Sequence, residues 1–244
     1  MPTIAYQLYC SRAVPLERTL AMLEATGLRA VEGYGALYDD PEGLRVELQR
    51  HGLRMPSGHM ALEAVEADPQ KAIATAEVLG MDKVFVPWIA PEQRGTDLES
   101  WRAVAGRAAR ALGPVREAGF SVGWHNHDFD LADLGGGVTA TDLMVEAGLD
   151  LELDLGWVAR SGQDPVAALK RFAGRVQAVH IKDLAPAGTQ AEDGWADVGH
   201  GTQAWEAIVA ELKAQGIDHW VLEHDNPTDP GRFAKTSLET VKAW

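Results

Sequence analysis

Four short apolar runs in the second half of the chain each end on a side chain of a type that binds metal ions. The runs begin at Ser121, Leu151, Val176 and His219, and they end on His125, Asp154, His180 and Glu223. The intervals between these four residues leave room for a helix and a return loop after each strand. A chain that repeats strand, helix and return in this way is restricted to α/β folds with a parallel sheet.

The same rhythm extends over all 244 residues. Helices are predicted after four Asp-Pro pairs, in which the aspartate caps the helix and the proline occupies its first turn; these begin at Asp40, Asp68, Asp164 and Asp229. Strands are predicted to run from Ile4 to Cys10, from Lys83 to Ile89, and up to Asp183. The pattern of eight strands alternating with about eight helices predicts one (β/α)8 TIM barrel over residues 1–244, without a linker.

Composition indicates which partners and which location the chain should have. The net charge of −14 argues against a nucleic-acid surface, which would need clustered basic residues. Cys10 is the single cysteine, which favours a reducing, cytoplasmic location. The start Met-Pro-Thr-Ile does not look like a signal peptide, and no run of about 18 apolar residues suggests a membrane span.

The strand ends predict a metal site. In such barrels the carboxyl ends of the strands form the active-site mouth, so His125, Asp154, His180 and Glu223 are expected to converge there. Two imidazoles and two carboxylates suit a divalent ion such as Mn, Co, Zn or Mg. The alternative is that these are polar residues held at the strand ends by hydrogen bonds alone.

Two residues on the same strands have more than one interpretation. Lys182 shares a strand face with His180, so it is predicted either to stabilise negative charge on a substrate or to form an ion pair with Asp183 or another acid. Glu152 shares a face with Asp154 and is expected one layer deeper, as a buried partner rather than a ligand.

Three further histidines are candidates for the site. His59 ends the third predicted strand, and His127 lies in the segment His125-Asn-His-Asp-Phe-Asp130, which is rich in donors and acceptors. His200 lies in the glycine-flanked turn Val198-Gly-His-Gly201, which is a weak signal by itself.

The second half resembles the xylose-isomerase-like superfamily of sugar phosphate isomerases and epimerases. The similar stretches are Trp124-His-Asn-His-Asp-Phe129, Leu153-Asp-Leu-Gly-Trp157, Gly162-Gln-Asp-Pro165, Gly174-Arg-Val, His180-Ile-Lys-Asp183, Val198-Gly-His-Gly201 and Val221-Leu-Glu-His-Asp225. The first half matches loosely, through its strand rhythm and Ser57-Gly-His59. The superfamily also holds inosose dehydratases, ketose epimerases and an abasic-site endonuclease, so the resemblance specifies no single reaction.

The resemblance implies a ligand set and two departures from it. Ketose epimerases hold a divalent metal with Glu, Asp, His and Glu, and the last three correspond to Asp154, His180 and Glu223. The first corresponds to His125, so a symmetric epimerisation with two carboxylates is not implied. The turn that carries His200 usually carries Glu.

These observations predict a metal-dependent isomerase or epimerase that acts on a sugar, sugar phosphate or related polyol ketone through an enediolate. Glu223 is the predicted base and His125 or His127 the partner acid, while His59, Lys182 and His200 bind substrate. The alternative is an inosose-dehydratase-like lyase that expels a β-hydroxyl as water.

Two other classes of protein are alternatives to the isomerase. A non-catalytic sugar-binding protein stays open, whereas the acidic charge argues against an abasic-site nuclease. A membrane or nucleic-acid partner is not expected, and the oligomeric state, including a homo-oligomer, is left open.

Overall fold

The computed structural model describes residues 2–244 and shows, within them, a closed barrel of eight parallel strands. The barrel strands are β1 Thr3–Gln7, β2 Ala30–Gly33, β3 Arg54–His59, β4 Lys83–Val86, β5 Ser121–His125, β6 Asp150–Asp154, β7 Val176–Ile181 and β10 His219–Leu222. They adjoin in the order in which the chain forms them, and β10 closes the ring against β1. The predicted (β/α)8 barrel is thereby confirmed.

A small antiparallel hairpin and ten α-helices complete the architecture of residues 2–244. The hairpin is formed by β8 Asp183–Leu184 and β9 Trp195–Ala196. The helices are α1 Leu16–Thr26, α2 Pro41–Arg50, α3 Leu62–Ala67, α4 Pro69–Leu79, α5 Leu98–Glu117, α6 Ala140–Glu146, α7 Leu155–Arg160, α8 Pro165–Arg171, α9 Trp205–Ala214 and α10 Pro230–Lys242. The sequence rhythm missed α3 and α7, which are short and follow barrel strands closely. None of these helices combines the length and the apolar character needed to cross a membrane.

The Asp-Pro pairs start helices as predicted. Asp40, Asp68, Asp164 and Asp229 each accept a backbone N–H two or three residues further along, with proline in the first turn. These bonds satisfy donors that have no partner inside the helix.

Three strands end earlier than the sequence suggested. β1 ends at Gln7 and gives way to a 3-10 turn, so the predicted extension to Cys10 is wrong. β4 ends before Pro87, which has no N–H to donate to a neighbouring strand. β7 ends at Ile181, and Asp183 instead begins the hairpin.

The two faces of the barrel strands have different chemistry, because side chains alternate along a strand. On β6, Leu151 and Leu153 belong to the main apolar core, in which strands and helices pack together. Glu152 and Asp154 alternate with them and point into the barrel. Three small residues form a separate apolar cluster on the inner face: Ala5, Ala30 and Val221.

Candidate metal and substrate site

Strand register brings the four predicted ligands together. His180 on β7 lies beside Asp154 on β6, and His125 on β5 lies beside Glu152. The set His125, Asp154, His180 and Glu223 offers one ligand atom per residue, and these atoms all lie within 4.8 Å of one another. All four side chains are buried. The set therefore has the spacing that a single ion requires.

Asp154 provides the clearest sign that this set suits a cation. Its Oδ1 accepts the N–H of Trp157 at 2.8 Å and so caps α7. Its Oδ2 is buried without a hydrogen bond from the described residues, 3.7 Å from His180 Nδ1 and 4.0 Å from His125 Nε2. A buried carboxylate oxygen that accepts no hydrogen bond is costly unless a cation binds it, and Lys182 Nζ stays 3.6 Å away, so these residues fit a divalent ion.

Two further carboxylates lie on the inner side of the two histidines. Glu152 Oε2 is 3.2 Å from His125 Nδ1 and 3.1 Å from His180 Nε2. Glu32 Oε1 is 2.8 Å from His180 Nε2. Each imidazole therefore turns one nitrogen to an inner carboxylate and the other to Asp154 or Glu223. Carboxylates in this position fix the tautomer and orientation of a ligating histidine.

His59 belongs to this inner group. Its Nε2 lies 2.5 Å from Glu152 Oε2 and 3.3 Å from Glu32 Oε1. A second set of residues, His59, His125, Glu152 and His180, therefore also brings ligand atoms within 4.8 Å of one another. Glu152 lies deeper than Asp154, where the sequence placed it. Sequence reasoning missed Glu32, although a glutamate inside the short apolar strand Ala30–Gly33 was a usable signal.

The four carboxylates of this region, Glu32, Glu152, Asp154 and Glu223, make the surroundings of the histidines predominantly negative. Burial lowers the pKa of His180, but Glu152 and Glu223 outweigh burial and raise this pKa well above its ordinary value. Such a shift shows that the surroundings favour a positive charge at this position. By contrast, burial lowers the pKa of His125 to about 4, so this imidazole is neutral at pH 7.

Lys182 is the buried cation nearest to these carboxylates. Its Nζ lies 2.8 Å from Asp225 Oδ2, 3.2 Å from Glu223 Oε2 and 3.6 Å from Asp154 Oδ2. Burial lowers the pKa of Lys182, but Glu223 and the other two carboxylates outweigh it and raise the pKa above its ordinary value. Of the two earlier alternatives, the structure shows ion pairs, and their partners are acids other than Asp183.

Asp183 holds a loop instead. Its carboxylate is buried and accepts the backbone N–H groups of Leu184, Gly199, Gly201 and Gln203, at 2.9–3.2 Å, and the indole N–H of Trp205 at 2.7 Å. Gly201 is required by this close approach, because a Cβ there would lie 2.2 Å from the Leu184 carbonyl oxygen. The segment 184–203 is thus fastened around one side chain.

A cavity of about 650 Å³ opens beside the four candidate ligands. His59, His125, His127 and Glu223 form its polar end. The other lining residues are Tyr9, Arg12, Tyr34, Gly35, Ala61, Pro87, Trp88, Trp157, Arg160, Asp193, Trp195 and Asp225. Of the predicted substrate-binding residues, His59 lines the cavity. Lys182 is fully buried and His200 is exposed in its turn, and neither lines the cavity.

His127 is placed beside the four candidate ligands by aromatic packing. Its ring is edge-on to His125 at 5.2 Å and stacks on Phe129 at 5.6 Å. Burial, and then the neighbouring His125, lower the pKa of His127 well below its ordinary value. The ring is therefore neutral at pH 7 and faces the cavity without carrying charge.

A family model described as xylose isomerase-like TIM barrel matches residues 20–244. The chain belongs to this family. An inosose dehydratase of Geobacillus kaustophilus strain HTA426 is 26% identical to this chain over 191 residues. The match covers 69% of this chain and 62% of that protein, so it spans less than two thirds of the relative's length.

Two solved structures share the xylose isomerase-like barrel. A sugar phosphate isomerase/epimerase from Parabacteroides distasonis ATCC 8503 has a TM-score of 0.81 and 18% identity, covering 100% of this chain and 94% of that one. The IolI protein, whose structure contains a zinc atom, has a TM-score of 0.77 and 16% identity, covering 100% and 97%. At such identities the likeness establishes the fold and not the reaction.

Proposed function

We propose that this xylose isomerase-like barrel is a divalent-metal-dependent isomerase or epimerase of a sugar or related polyol ketone. The observation that carries the proposal is the buried set His125, Asp154, His180 and Glu223, in which one Asp154 oxygen accepts no hydrogen bond and which lies at the polar end of a cavity. A divalent ion bound there would polarise the substrate carbonyl and stabilise the negative charge of an enediolate. The zinc of the similar IolI structure supports this proposal.

Glu223 is the proposed base. Its Oε2 is held by His180 Nδ1 at 2.8 Å and by Lys182 Nζ at 3.2 Å. Burial raises the pKa of Glu223, but Lys182 and His180 outweigh it and lower the pKa well below its ordinary value. The carboxylate is therefore ionised at neutral pH and can take a proton from the carbon next to the substrate carbonyl.

The fate of that proton decides the product. If Glu223 returns it to the neighbouring carbon, the substrate is isomerised. If a proton comes from the opposite face, through His125 or His127, the substrate is epimerised. His127 is the better placed of the two, because both nitrogens of His125 already face carboxylates. As a neutral imidazole, it would first have to receive a proton from solvent or from a substrate hydroxyl.

A dehydratase is the second candidate, supported by the similarity to inosose dehydratase. The same deprotonation by Glu223 would be followed by departure of a β-hydroxyl, which leaves as water after taking up a proton. The two candidates differ in composition of the product, since isomerisation keeps the molecular formula and dehydration loses one water.

The test is proton exchange in D₂O, followed by NMR, with Mn-loaded protein and a set of free ketoses, ketose phosphates and inososes. We expect wild type to exchange the proton next to the carbonyl of at least one compound. Glu223→Gln should lose about 10²–10⁴ in this rate. The exposed Glu206→Gln is the matched control and should exchange at the wild-type rate. Equal rates in wild type and Glu223→Gln would assign the base to another residue.

A further inference from the structure

We propose that the outer half of the cavity is a subsite for a second ring, so that the substrate is a neutral sugar or polyol ketone that keeps its free carbonyl and carries a second ring joined to it. In this arrangement the reacting sugar lies at the polar end, beside Glu223, and the ring joined to it lies between aromatic side chains at the mouth. The identity of the reacting ring rests on the proposed function. The binding of a second ring at the mouth does not depend on it.

Exposed aromatic side chains are concentrated at this mouth. Among the described residues, the large hydrophobic side chains that are exposed are Tyr9 at 41%, Val46 at 37% and Trp88 at 44%. Tyr9 and Trp88 line the cavity, while Val46 lies on α2. Exposed apolar surface is unfavourable unless something covers it, and around a cavity this surface commonly belongs to the binding site.

The aromatic residues surround the mouth from opposite sides of the barrel. Tyr34 follows β2 and Trp157 follows β6, and these two strands lie opposite one another in the eight-stranded ring. Tyr34 packs edge-on against Tyr9 at 5.3 Å, and Trp157 packs edge-on against Trp195 at 4.8 Å. Both pairs line the cavity, but Trp195 is buried with Arg160 over its ring, so a ring that enters meets Tyr9 and Tyr34 on one side and Trp157 on the other.

The charged groups at the mouth do not favour a phosphate. Arg12 donates to the backbone carbonyls of Tyr9 and Asp225, and its guanidinium lies over the Tyr9 ring. Arg160 lies flat on Trp195, 3.4 Å from the ring centroid, and donates to the Asp193 carbonyl at 2.7 Å.

The cavity lining sets two arginines against three acids, Asp193, Glu223 and Asp225, while the buried Lys182 is already paired with Glu223 and Asp225. The mouth therefore has no surplus of positive charge, and a neutral substituent suits it better than an anionic one.

The size of the cavity agrees with this assignment. Its volume of about 650 Å³ lies within the range of sites for drug-sized ligands, about 300–1,000 Å³. Such ligands are larger than one sugar ring. A monosaccharide at the polar end would leave the aromatic mouth uncovered, whereas a sugar that carries a second ring would cover it.

The experiment is calorimetric titration of the metal-loaded protein with four probes: methyl β-D-glucopyranoside, phenyl β-D-glucopyranoside, cellobiose and glucose 6-phosphate. We expect phenyl glucoside or cellobiose to bind about tenfold more tightly than methyl glucoside. The better of the two shows whether the second ring is aromatic or a sugar. Tighter binding of glucose 6-phosphate than of both would overturn the proposal, as would absence of binding by all four probes.

Three variants locate the effect. Trp88→Ala should remove most of the advantage of the second ring, and Trp88→Phe should retain much of it. Val46→Ala, the matched exposed apolar control, should bind all probes as wild type does. Equal loss in Trp88→Ala and Val46→Ala, or no loss in either, would contradict the subsite. Because no turnover is measured, failure of the D₂O exchange leaves this result valid, and failure of the titration leaves the exchange valid.

Discussion

The outward and inward faces of the same barrel strands differ in polarity and in what their side chains contact. On β7, Val179 and Ile181 pack in the main apolar core, whereas His180 between them contacts carboxylates. Barrel interiors are commonly filled by layers of branched apolar residues. Here the interior is largely a network of charged and polar groups. The outward face therefore stabilises the barrel, and the inward face carries the candidate site.

The two faces are linked by register. A shift of one residue in a strand would place every inward side chain outside and every outward side chain inside. Since leucines and carboxylates alternate on β6, such a shift would bury charges against the helices. The apolar face thus fixes the positions of the polar one, and substitutions on the two faces should have separable effects.

The largest effect, on metal binding, is expected from substitutions in the set His125, Asp154, His180 and Glu223. Wild type should hold about one divalent ion per chain, and Asp154→Ala and His180→Ala should hold none, since each leaves too few protein ligands. The measurement is metal content by mass spectrometry after purification without chelators. An unchanged metal content in both variants would show that the ion, if any, lies elsewhere.

On the outward face, Leu151→Ala should change stability and leave metal binding intact. Leu151 is fully buried in the main core, so the substitution should lower the free energy of unfolding by about 2–5 kcal/mol. Urea unfolding of the metal-free protein measures this change, with the exposed Val46→Ala as control, expected within about 0.5 kcal/mol of wild type. A loss of metal affinity in the folded Leu151→Ala protein would show that the two faces are not separable.

A smaller effect is expected from the inner carboxylates. Glu152→Gln keeps an oxygen near His125 but removes its charge, and loss of such a partner typically weakens metal binding by about 10–100-fold. Competition with a fluorescent chelator measures the affinity, and Glu206→Gln is the control. If Glu152→Gln binds the ion as tightly as wild type, Glu152 serves the fold alone.

The smallest effect concerns a charge pair near solvent. Burial raises the pKa of Glu192, but hydrogen bonds from Thr228 and Arg232 outweigh it and lower the pKa to about 2. Because the folded-state pKa lies below the unfolded value of about 4.3, the pair stabilises the protein above that pH. This stabilisation disappears as the pH falls towards 2. At pH 7, Glu192→Gln should cost about 0.2–1 kcal/mol, a difference that shrinks in acid unfolding experiments. A difference that grows on acidification would contradict the assignment.

The parts of the fold that depend on local sequence were predictable. Asp-Pro pairs marked helix starts because their capping bonds are made within a few residues, and the four candidate ligands at strand ends were visible because each follows an apolar run. Glu32 was missed because its role depends on His180, which is far away in the sequence. The aromatic mouth was also missed, since Trp88 and Trp195 both reach the cavity through conformations that periodicity does not encode.

The arrangement around Asp183 has a consequence for how the protein resists degradation. Proteases cut long irregular segments because the backbone can leave the surface and enter the enzyme's cleft. In residues 184–203 that movement would break several hydrogen bonds to one buried carboxylate at once, so local opening is costly. The exposed glycine-rich stretch 135–137 is held by hydrogen bonds to Asp133 and Arg171 that lie at the surface rather than on a buried side chain, so it should be nicked first. The segment 184–203, which includes Trp195, should then stay intact under a protease treatment that cleaves the chain elsewhere.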